Sequence, residues 1–395
     1  MLLAFLAAPA AAQEVSEKDY FGDLPVVLSV SRLAQPLKEV PGAVTVIDRD
    51  TIRRSGAREV AEVLRLVPGF LFTSRNGANP QASYHSGMDV FGSRMQVYVD
   101  GRSLYSSFLF GDTHLGLRGI ILEDVERIEV LRGSNSASYG ANAFLGVVNI
   151  VTRNAADSQG TTISATVGDK GVEDNVVRHG WGDQNASFRI TAARRTDRGI
   201  NYVNDDSHVS RLQFRGDWLP SQNDEVMLQL GAGETARGDG EGTAGNPFRT
   251  TGQSDVYVLL SWQHRLAADE KLEMRVSHER EAIVDRVLVS GNVGGPVSAI
   301  NDSSGSVQRT ELGLQHAFAL NGALRMAWGG EWRYELLDSP PLYFTSNSIS
   351  LHQWRGFATL EWRPHEHCSC RPAACRRATA IQAAHFRRAW RPAST

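Results

Sequence analysis

The sequence predicts a small α+β domain followed by the antiparallel strands of an incomplete transmembrane β-barrel. Residues 24–153 mix short apolar strands with an amphipathic helix and glycine-rich turns. Residues 160–363 alternate apolar and polar side chains with a period of two, which places one set on each face of a sheet. Past the N-terminus no run reaches the ~18 consecutive apolar residues of a membrane-spanning helix, whereas alternating strands can cross a membrane with a polar average composition.

The composition excludes several classes of protein. Among 395 residues, 41 Lys and Arg face 44 Asp and Glu, so the net charge is −3. Nucleic-acid binding usually needs a basic surface, and this chain does not have the charge for one. Hydrophobic residues make up 42% of the chain, which is too many for global disorder. No cysteine precedes Cys368, as suits an exported bacterial protein in which stray thiols would oxidise.

The N-terminus has the pattern of an export signal. Residues 1–12 are an apolar run that ends in small alanines before Gln13, like the hydrophobic region and cleavage site of a secretory signal peptide. The usual positive charge at the start is missing, which points to a start codon assigned too far downstream. A buried apolar helix or strand is the alternative. We expect a signal peptide over residues 1–12 and a polar leader over residues 13–34.

The elements of the first domain, residues 35–153, follow from local patterns. Asp48 offers a carboxylate that can cap a first helical turn. Residues 59–66 have apolar side chains at helical spacing, and Pro68-Gly69 ends that helix. An Asp100-Gly101 turn predicts a short hairpin. The predicted strands of the leader and the domain, in order, are residues 24–30, 44–47, 95–99, 125–131 and 146–152.

Five motifs make this domain resemble the plug domain of TonB-dependent outer-membrane receptors, in the order and spacing of that family. They are residues 67–70 (Val-Pro-Gly-Phe), 97–102 (Val-Tyr-Val-Asp-Gly-Arg), 125–133 (Val-Glu-Arg-Ile-Glu-Val-Leu-Arg-Gly), 138–143 (Ser-Tyr-Gly-Ala-Asn-Ala) and 146–152 (Gly-Val-Val-Asn-Ile-Val-Thr). The sequence departs from the family at Ser86-Gly87, where Arg-Gly is usual, and at Gly133-Ser134, where Gly-Pro is usual. These departures affect loop details.

The second region, residues 160–363, is predicted to be β throughout. Tryptophan and tyrosine cluster near the strand ends, as in the aromatic girdles of membrane barrels. A soluble β-sandwich would give the same period, and the plug-like domain ahead of the strands favours the barrel. Short turns at two places alternate with longer polar loops at three others: residues 219–224 and 319–322, then residues 234–252, 281–305 and 337–350.

The barrel pattern stops near Pro364. We count about ten strand patterns before it, whereas a plugged outer-membrane transporter has about 22 strands. Residues 367–395 contain no Asp or Glu and six Arg. We expect residues 364–395 to be an aberrant, disordered tail from a frameshift or read-through, and the chain alone not to transport.

Sites for chemistry are few. His365, His367, Cys368, Cys370 and Cys375 lack the paired spacing of a zinc site, so we predict no metal. No catalytic constellation appears, so we predict neither an enzyme nor a cofactor.

The resemblance implies three sets of functional residues. Arg127 and Arg132 match plug arginines that face barrel glutamates in the family. The apical loops hold six candidate ligand contacts, with packing of plug against barrel as the equal alternative: Tyr84, His85, Tyr105, Phe108, Phe110 and His114. A mobile, β-prone stretch is the predicted TonB box: Asp23, Leu24, Pro25, Val26, Val27, Leu28, Ser29 and Val30.

The function implied is energy-coupled import across the bacterial outer membrane. The expected partners are TonB, with ExbB and ExbD through it, outer-membrane lipid, and a small-molecule chelate or cobalamin-like ligand. The family's usual cargoes are ferric siderophores and vitamin B12. Two alternatives remain, a secreted soluble β-rich ligand-binding protein and a periplasmic signalling module. The second lacks room for an extra domain before the TonB box.

Overall fold

The structure, a computed structural model, describes most of the chain from residue 43 to residue 362. The described residues are 43–74, 80–85, 92–108, 111–133, 139–140, 142–292 and 296–362, together with the backbone of residues 26–28, 34–36 and 378–392.

The N-terminal domain is built on a five-stranded sheet in the order β3-β8-β9-β6-β7. β6 and β9 are parallel, and the other pairs are antiparallel. The strands of this part of the chain are β1 (Val26–Leu28), β2 (Ala34–Pro36), β3 (Ala43–Asp48), β4 (Phe70–Ser74), β5 (Pro80–Tyr84), β6 (Met95–Val99), β7 (Arg102–Ser103), β8 (Val125–Arg132) and β9 (Gly146–Thr152).

Three short helices and two 3₁₀ turns cover this sheet and lead out of it. They are α1 (Arg49–Arg54), α2 (Val60–Leu64), α3 (His114–Leu117) and the 3₁₀ turns Leu122–Asp124 and Ala155–Ser158. The Asp48 carboxylate accepts the Thr51 N–H at 2.7 Å and caps α1, as predicted. No helix in the described part of the chain is long and apolar enough to span a membrane.

The apolar core of the domain lies between the sheet and α2. Val60, Val63 and Leu64 of α2 are fully buried there with Ile128 of β8 and Ile150 of β9. The helical spacing that predicted α2 therefore marks its buried face, although the helix is shorter than the predicted residues 59–66.

The second region forms one large antiparallel sheet of eleven strands in chain order, with a separate β17–β18 hairpin. Its elements are β10 (Gly160–Gly168), β11 (Val172–Gly182), β12 (Ala186–Asp197), β13 (Ser207–Trp218), β14 (Asp224–Asp239), β15 (Arg249–Ala267), β16 (Glu270–Val284), β17 (Arg286–Asn292), β18 (Pro296–Asp302), β19 (Gly305–Asn321), β20 (Leu324–Asp338), α4 (Pro340–Tyr343), β21 (Ile349–Trp362) and β22 (Ala378–Pro392). β10 and β22 are the two edges, so the described sheet is not closed.

The two ends of the large sheet differ in their connections. One end has short turns, and the other has mostly long ones. The short turns are residues 183–185, 219–223, 268–269 and 322–323, and the long connections are residues 198–206, 240–248, 285–304 and 339–348. Short turns mark the periplasmic end of an outer-membrane barrel. The predicted loop over residues 281–305 holds the β17–β18 hairpin, and the one over residues 337–350 holds α4.

The C-terminal segment corrects one prediction. Residues 378–392, expected to be disordered, form β22, which pairs antiparallel with β21. The physical reason is the edge of β21, whose unpaired N–H and C=O groups can pair with any extended segment that lacks an interior proline.

Candidate functional site

The N-terminal domain lies against the inward face of the large sheet, and the interface is mostly polar. An apolar contact is at the long-loop end, where Phe108 is 1% exposed and packs on Ile283, Val307 and Leu337. The Tyr343 ring of α4 meets Phe108 edge-on, with the ring centroids 6.3 Å apart. Burial raises the pKa of the Tyr343 phenol to about 12, so the group stays neutral.

A buried ion cluster holds the β6–β7 hairpin. The Arg102 guanidinium donates to the Glu279 carboxylate of β16 at 2.7 Å and lies 3.9 Å from the centre of the Tyr257 ring. Arg309 of β19 donates to the same carboxylate at 2.5 Å and to the Ser103 carbonyl at 2.8 Å. Burial alone would lower the pKa of Arg102, but Glu279 and neighbouring acidic groups raise it above its ordinary value. Arg102 therefore stays charged.

A second ion cluster fixes the loop between α1 and α2. Arg58 donates to both Asp174 oxygens of β11 at 2.7 Å, which is the bidentate geometry of strong arginine–carboxylate pairs. Arg58 also pairs with Asp197, and Arg195 of β12 donates to the Arg58 carbonyl at 2.6 Å. The hydrogen bonds to Asp174 hold the pKa of Arg58 above its ordinary value.

The 3₁₀ turn before β8 meets arginines of the large sheet. Arg195 donates to Glu123 at 2.8 Å. Arg178 and Arg189 lie 3.3 and 3.6 Å from Asp124, which is almost fully buried. In the Arg58 pairs the plug supplies the arginine and the large sheet supplies the carboxylates. Here the large sheet supplies the arginines and the N-terminal domain supplies the carboxylates.

The Asp100-Gly101 turn is held at the short-turn side. The Asp100 carboxylate accepts from Thr152 at 2.6 Å and from Gln229 of β14 at 2.6 Å. Arg215 of β13 donates to the Thr152 hydroxyl at 2.6 Å. Asp100 and Gly101 both have positive φ, as a tight hairpin turn requires.

A cavity of about 370 Å³ lies between this turn and the large sheet. The N-terminal domain contributes Tyr98, Asp100 and Arg127, and the opposite wall carries charged and amide side chains of six strands, β13 to β16, β19 and β20.

Comparison with known proteins identifies the domain. Residues 36–147 match the family described as TonB-dependent Receptor Plug Domain. The chain is 32% identical over 161 residues to the vitamin B12 transporter BtuB of Vibrio vulnificus strain CMCP6, a match that covers 40% of this chain and 24% of the transporter. Residues 36–147 therefore form a plug domain of the TonB-dependent receptor type.

Solved receptors share the fold of most of this chain. The ferric yersiniabactin uptake receptor FyuA of Yersinia pestis gives a TM-score of 0.66 at 15% identity, over 82% of this chain and 54% of that protein. The ferripyoverdine receptor of the Pseudomonas aeruginosa outer membrane gives 0.67 at 10% identity, over 92% of this chain and 56% of that protein.

The chain thus spans a little over half of these two solved receptors. The predicted plug-and-barrel fold and the predicted outer-membrane location are confirmed. The family consists of transport receptors.

The predicted ligand-contact residues of the plug lie in different surroundings. Tyr84 and His85 are neighbours at the end of β5, with ring centroids 4.3 Å apart. Tyr105 is half-buried, and its carbonyl accepts from Arg309. Phe108 and His114 are buried, which favours the packing alternative for these two. Phe110 lies outside the described residues.

The predicted plug–barrel pairs of Arg127 and Arg132 stay a prediction, because in the described residues both arginines have partners within the plug. Arg127 pairs with Glu129 of the same plug strand at 2.7 Å, and Arg132 donates to the Pro68 carbonyl at 3.4 Å. Successive odd positions on β8 face the same way, which brings Arg127 and Glu129 together. Two barrel carboxylates of the interface, Asp174 and Glu279, pair with the plug residues Arg58 and Arg102.

Sequence reasoning missed Arg58, Arg102 and their partners. A signal was present in the barrel strands, where arginines and carboxylates share the inward set of alternating positions, as with Arg211, Arg215 and Asp217 of β13. Charges on that face need buried partners, and the plug is the element that supplies them.

The predicted TonB box, and the histidine and cysteine group for which no metal was predicted, fall largely outside the described residues. Of the TonB box, the backbone of Val26–Leu28 is described, and it pairs antiparallel with β2. The histidines and cysteines from residue 365 to residue 375 are not described. Among the residues that are described, no group of three or more His, Cys, Asp or Glu is placed to hold a metal ion.

Proposed function

We propose that this chain forms the plug and part of the barrel wall of a receptor for energy-coupled uptake of a scarce ligand across the outer membrane. The observation that carries the proposal is a plug with its own apolar core, docked by ion pairs on the inward face of a barrel sheet. An interface of this kind can be loosened without exposing the plug core, because water can solvate the separated charges.

The outward face of the sheet supports a membrane location over a soluble β-rich protein. Large apolar side chains on it are open, with Ile163 73%, Val167 82% and Trp354 57% exposed. A contiguous apolar surface of this kind marks contact with a partner or with lipid. Aromatic rings lie on the outward face near the short-turn end, where Trp181 stacks on Phe188 and Trp218 meets Phe188 edge-on. Such aromatic girdles mark membrane interfaces.

The proposed cargo is a ferric siderophore or a molecule of the vitamin B12 class, bound on the long-loop side. Support comes from the B12 transporter, with which the chain shares 32% identity, and from the ferric siderophore receptors that share its fold. The candidate contacts are Tyr84 and His85, which lie at the end of a plug strand, where the Phe70 and Tyr84 ring centroids are 5.1 Å apart.

Equilibrium binding to the purified chain in detergent tests the cargo class. Cyanocobalamin and ferric enterobactin are titrated separately, and we expect one of them to bind. The Tyr84→Ala, His85→Ala double variant should weaken that binding. Tyr334 and His352 form a similar ring pair, with centroids 4.8 Å apart, on the lipid side of the barrel, so the Tyr334→Ala, His352→Ala variant is the matched control. Equal affinity in both double variants would remove Tyr84 and His85 from the site.

The proposed energy source is TonB, acting with ExbB and ExbD from the inner membrane. The chain by itself should not transport. Its sheet ends at β10 and β22, and each unpaired N–H or C=O at an edge in hydrocarbon costs several kcal/mol. We expect cells that produce only this chain to show the same energy-dependent uptake as cells with an empty vector. Uptake above that level would contradict this part of the proposal.

A further inference from the structure

The cavity of about 370 Å³ between plug and barrel is lined by residues other than the proposed cargo contacts Tyr84 and His85. Its barrel wall begins beside the short turns, because Glu225 and Lys271 are the second residues of β14 and β16. It reaches halfway up the barrel at Glu331 of β20. The cavity therefore lies on the periplasmic half of the plug–barrel interface.

The lining is strongly polar, yet its charges are neutralised locally. Glu273 has Arg275 at 3.3 Å and Lys271 at 4.0 Å. Arg127 pairs with Glu129. Amide and hydroxyl groups of Gln263, Gln315 and Ser261 lie between these charges. A polar cavity without a large net charge can solvate a polar molecule without holding it tightly, as passage through a pore requires.

The plug closes this cavity toward the long-loop side with the Asp100-Gly101 turn. Gly101 has φ +85°, and a Cβ there would come 2.1 Å from the Arg275 Nη1, so the turn backbone lies directly against the barrel guanidinium. Arg102, the next residue, is in the buried cluster with Glu279. The hairpin that leads to the apical loop of Phe108 therefore also forms the roof of the cavity.

We propose that this cavity is a second, low-affinity binding site for the cargo on its way to the periplasm. The inference rests on the proposed function and extends it to a site on the opposite side of the plug. The ligand it fits is a polar small molecule rich in hydroxyl, amide and carbonyl groups, because amides and paired charges line it. Its volume is at the small end of ligand pockets, about 300–1,000 Å³, so a bulky chelate enters it one part at a time.

Cysteine protection in the purified full chain tests the proposal. In a background with Cys368, Cys370 and Cys375 changed to Ser, Gln315→Cys and Gln263→Cys place thiols on the cavity wall. Leu259→Cys is the matched control, since Leu259 is on the same inward face of β15 as Gln263 but is fully buried. The probe is a small, charged methanethiosulfonate. We expect both cavity thiols to react much faster than the Leu259 variant. Equal rates would show that the cavity is closed to polar solutes and would overturn the proposal.

The second arm adds cyanocobalamin or ferric enterobactin, whichever binds in equilibrium dialysis. At about ten times the dissociation constant of the weak site, about one tenth of that site stays free, so modification of Gln315→Cys should slow about tenfold. We expect the added ligand to protect Gln315→Cys only at ligand concentrations above those that saturate the Tyr84 and His85 site. If a ligand binds in dialysis but does not protect Gln315→Cys at any concentration, the second binding site is contradicted and the proposed function is not. If neither cyanocobalamin nor ferric enterobactin binds, the proposed cargo class is contradicted, and so is the second binding site.

Discussion

The plug and the barrel wall bury opposite kinds of side chain. The plug core is apolar, with Val60, Leu64 and Ile128 fully buried. The inward face of the barrel is charged, with Arg237 and Glu335 equally buried, while apolar side chains such as Leu212 point outward. The plug buries apolar side chains because polar groups surround it. The barrel buries charged side chains on its inward face because lipid surrounds its outward face.

This difference shows which interactions stabilise the plug and which stabilise the barrel. In the plug, removing apolar area from water supplies the driving force. In the barrel, ladder hydrogen bonds and lipid contact hold the sheet, and the inward charges determine which plug loop docks on which strand. A buried ion pair of this sort fixes register more than it adds stability. The comparison can be tested by changing one side chain of each kind.

The largest effect should come from the buried ion cluster. Arg309→Ala removes the bonds to Glu279 and to two plug carbonyls, and breaking a buried pair costs about 3–5 kcal/mol. Arg286→Ala is the matched control, because Arg286 pairs with Asp302 in the exposed β17–β18 hairpin, and such pairs contribute about 0–1 kcal/mol. Urea unfolding in detergent, followed by tryptophan fluorescence, gives both free energies. Similar losses in the two variants would show that the interface charges do not hold the plug.

A charge on the lipid face should cost slightly less. Leu212 is in the middle of β13 and points outward. Arginine at the midplane of a membrane barrel costs about 2–4 kcal/mol, so Leu212→Arg should lower the free energy of unfolding in lipid vesicles by that amount. Leu71→Arg changes an exposed plug leucine and should stay within about 0.5 kcal/mol. Equal costs would contradict the assignment of the outward face to lipid.

Patterns local in sequence were enough to predict much of the fold. β9 has the predicted bounds, residues 146–152, and the Asp48 cap is as expected. The β17–β18 hairpin was predicted as loop, because polar residues and glycine obscure its alternation. β22 was missed because its alanine-rich, arginine-rich sequence carries no period-two pattern, and the free edge of β21 provides the hydrogen bonds.

The interface was harder to predict because its partners are far apart in the chain. Arg58 and Asp174 are separated by 116 residues, and the register of β11 and the placement of the plug loop together decide that they meet. Resemblance to the family pointed to Arg127 and Arg132, yet β8 places Glu129 within reach of Arg127 first. The resemblance predicted ion pairs between plug and barrel, but the register of distant strands decides which side chains form them.

The smallest effect should be at the cap of α1, and it should depend on pH. The hydrogen bond from Thr51 holds the pKa of Asp48 below its ordinary value. The carboxylate therefore stabilises the fold above the unfolded pKa of about 3.9 and loses that contribution as pH falls through the folded pKa. Asp48→Ala should cost about 0.5–2 kcal/mol at neutral pH. Urea unfolding should show the deficit shrinking as the pH falls from neutral to below the unfolded pKa of about 3.9, whereas Asp48→Asn, which keeps a cap, should show little change at either pH.

Binding of TonB is the most direct test of membership in an energy-coupled system. The backbone of Val26–Leu28 already forms a strand, and such a segment can add to the sheet of a partner through main-chain hydrogen bonds. Val27→Pro removes one N–H donor and fixes φ. Cross-linking of the purified chain to the TonB C-terminal domain should be seen with the unchanged sequence and with Val27→Ala, and should be lost with Val27→Pro, while cyanocobalamin or ferric enterobactin binding stays the same. Cross-linking that survives Val27→Pro, or that never occurs, would contradict the proposal.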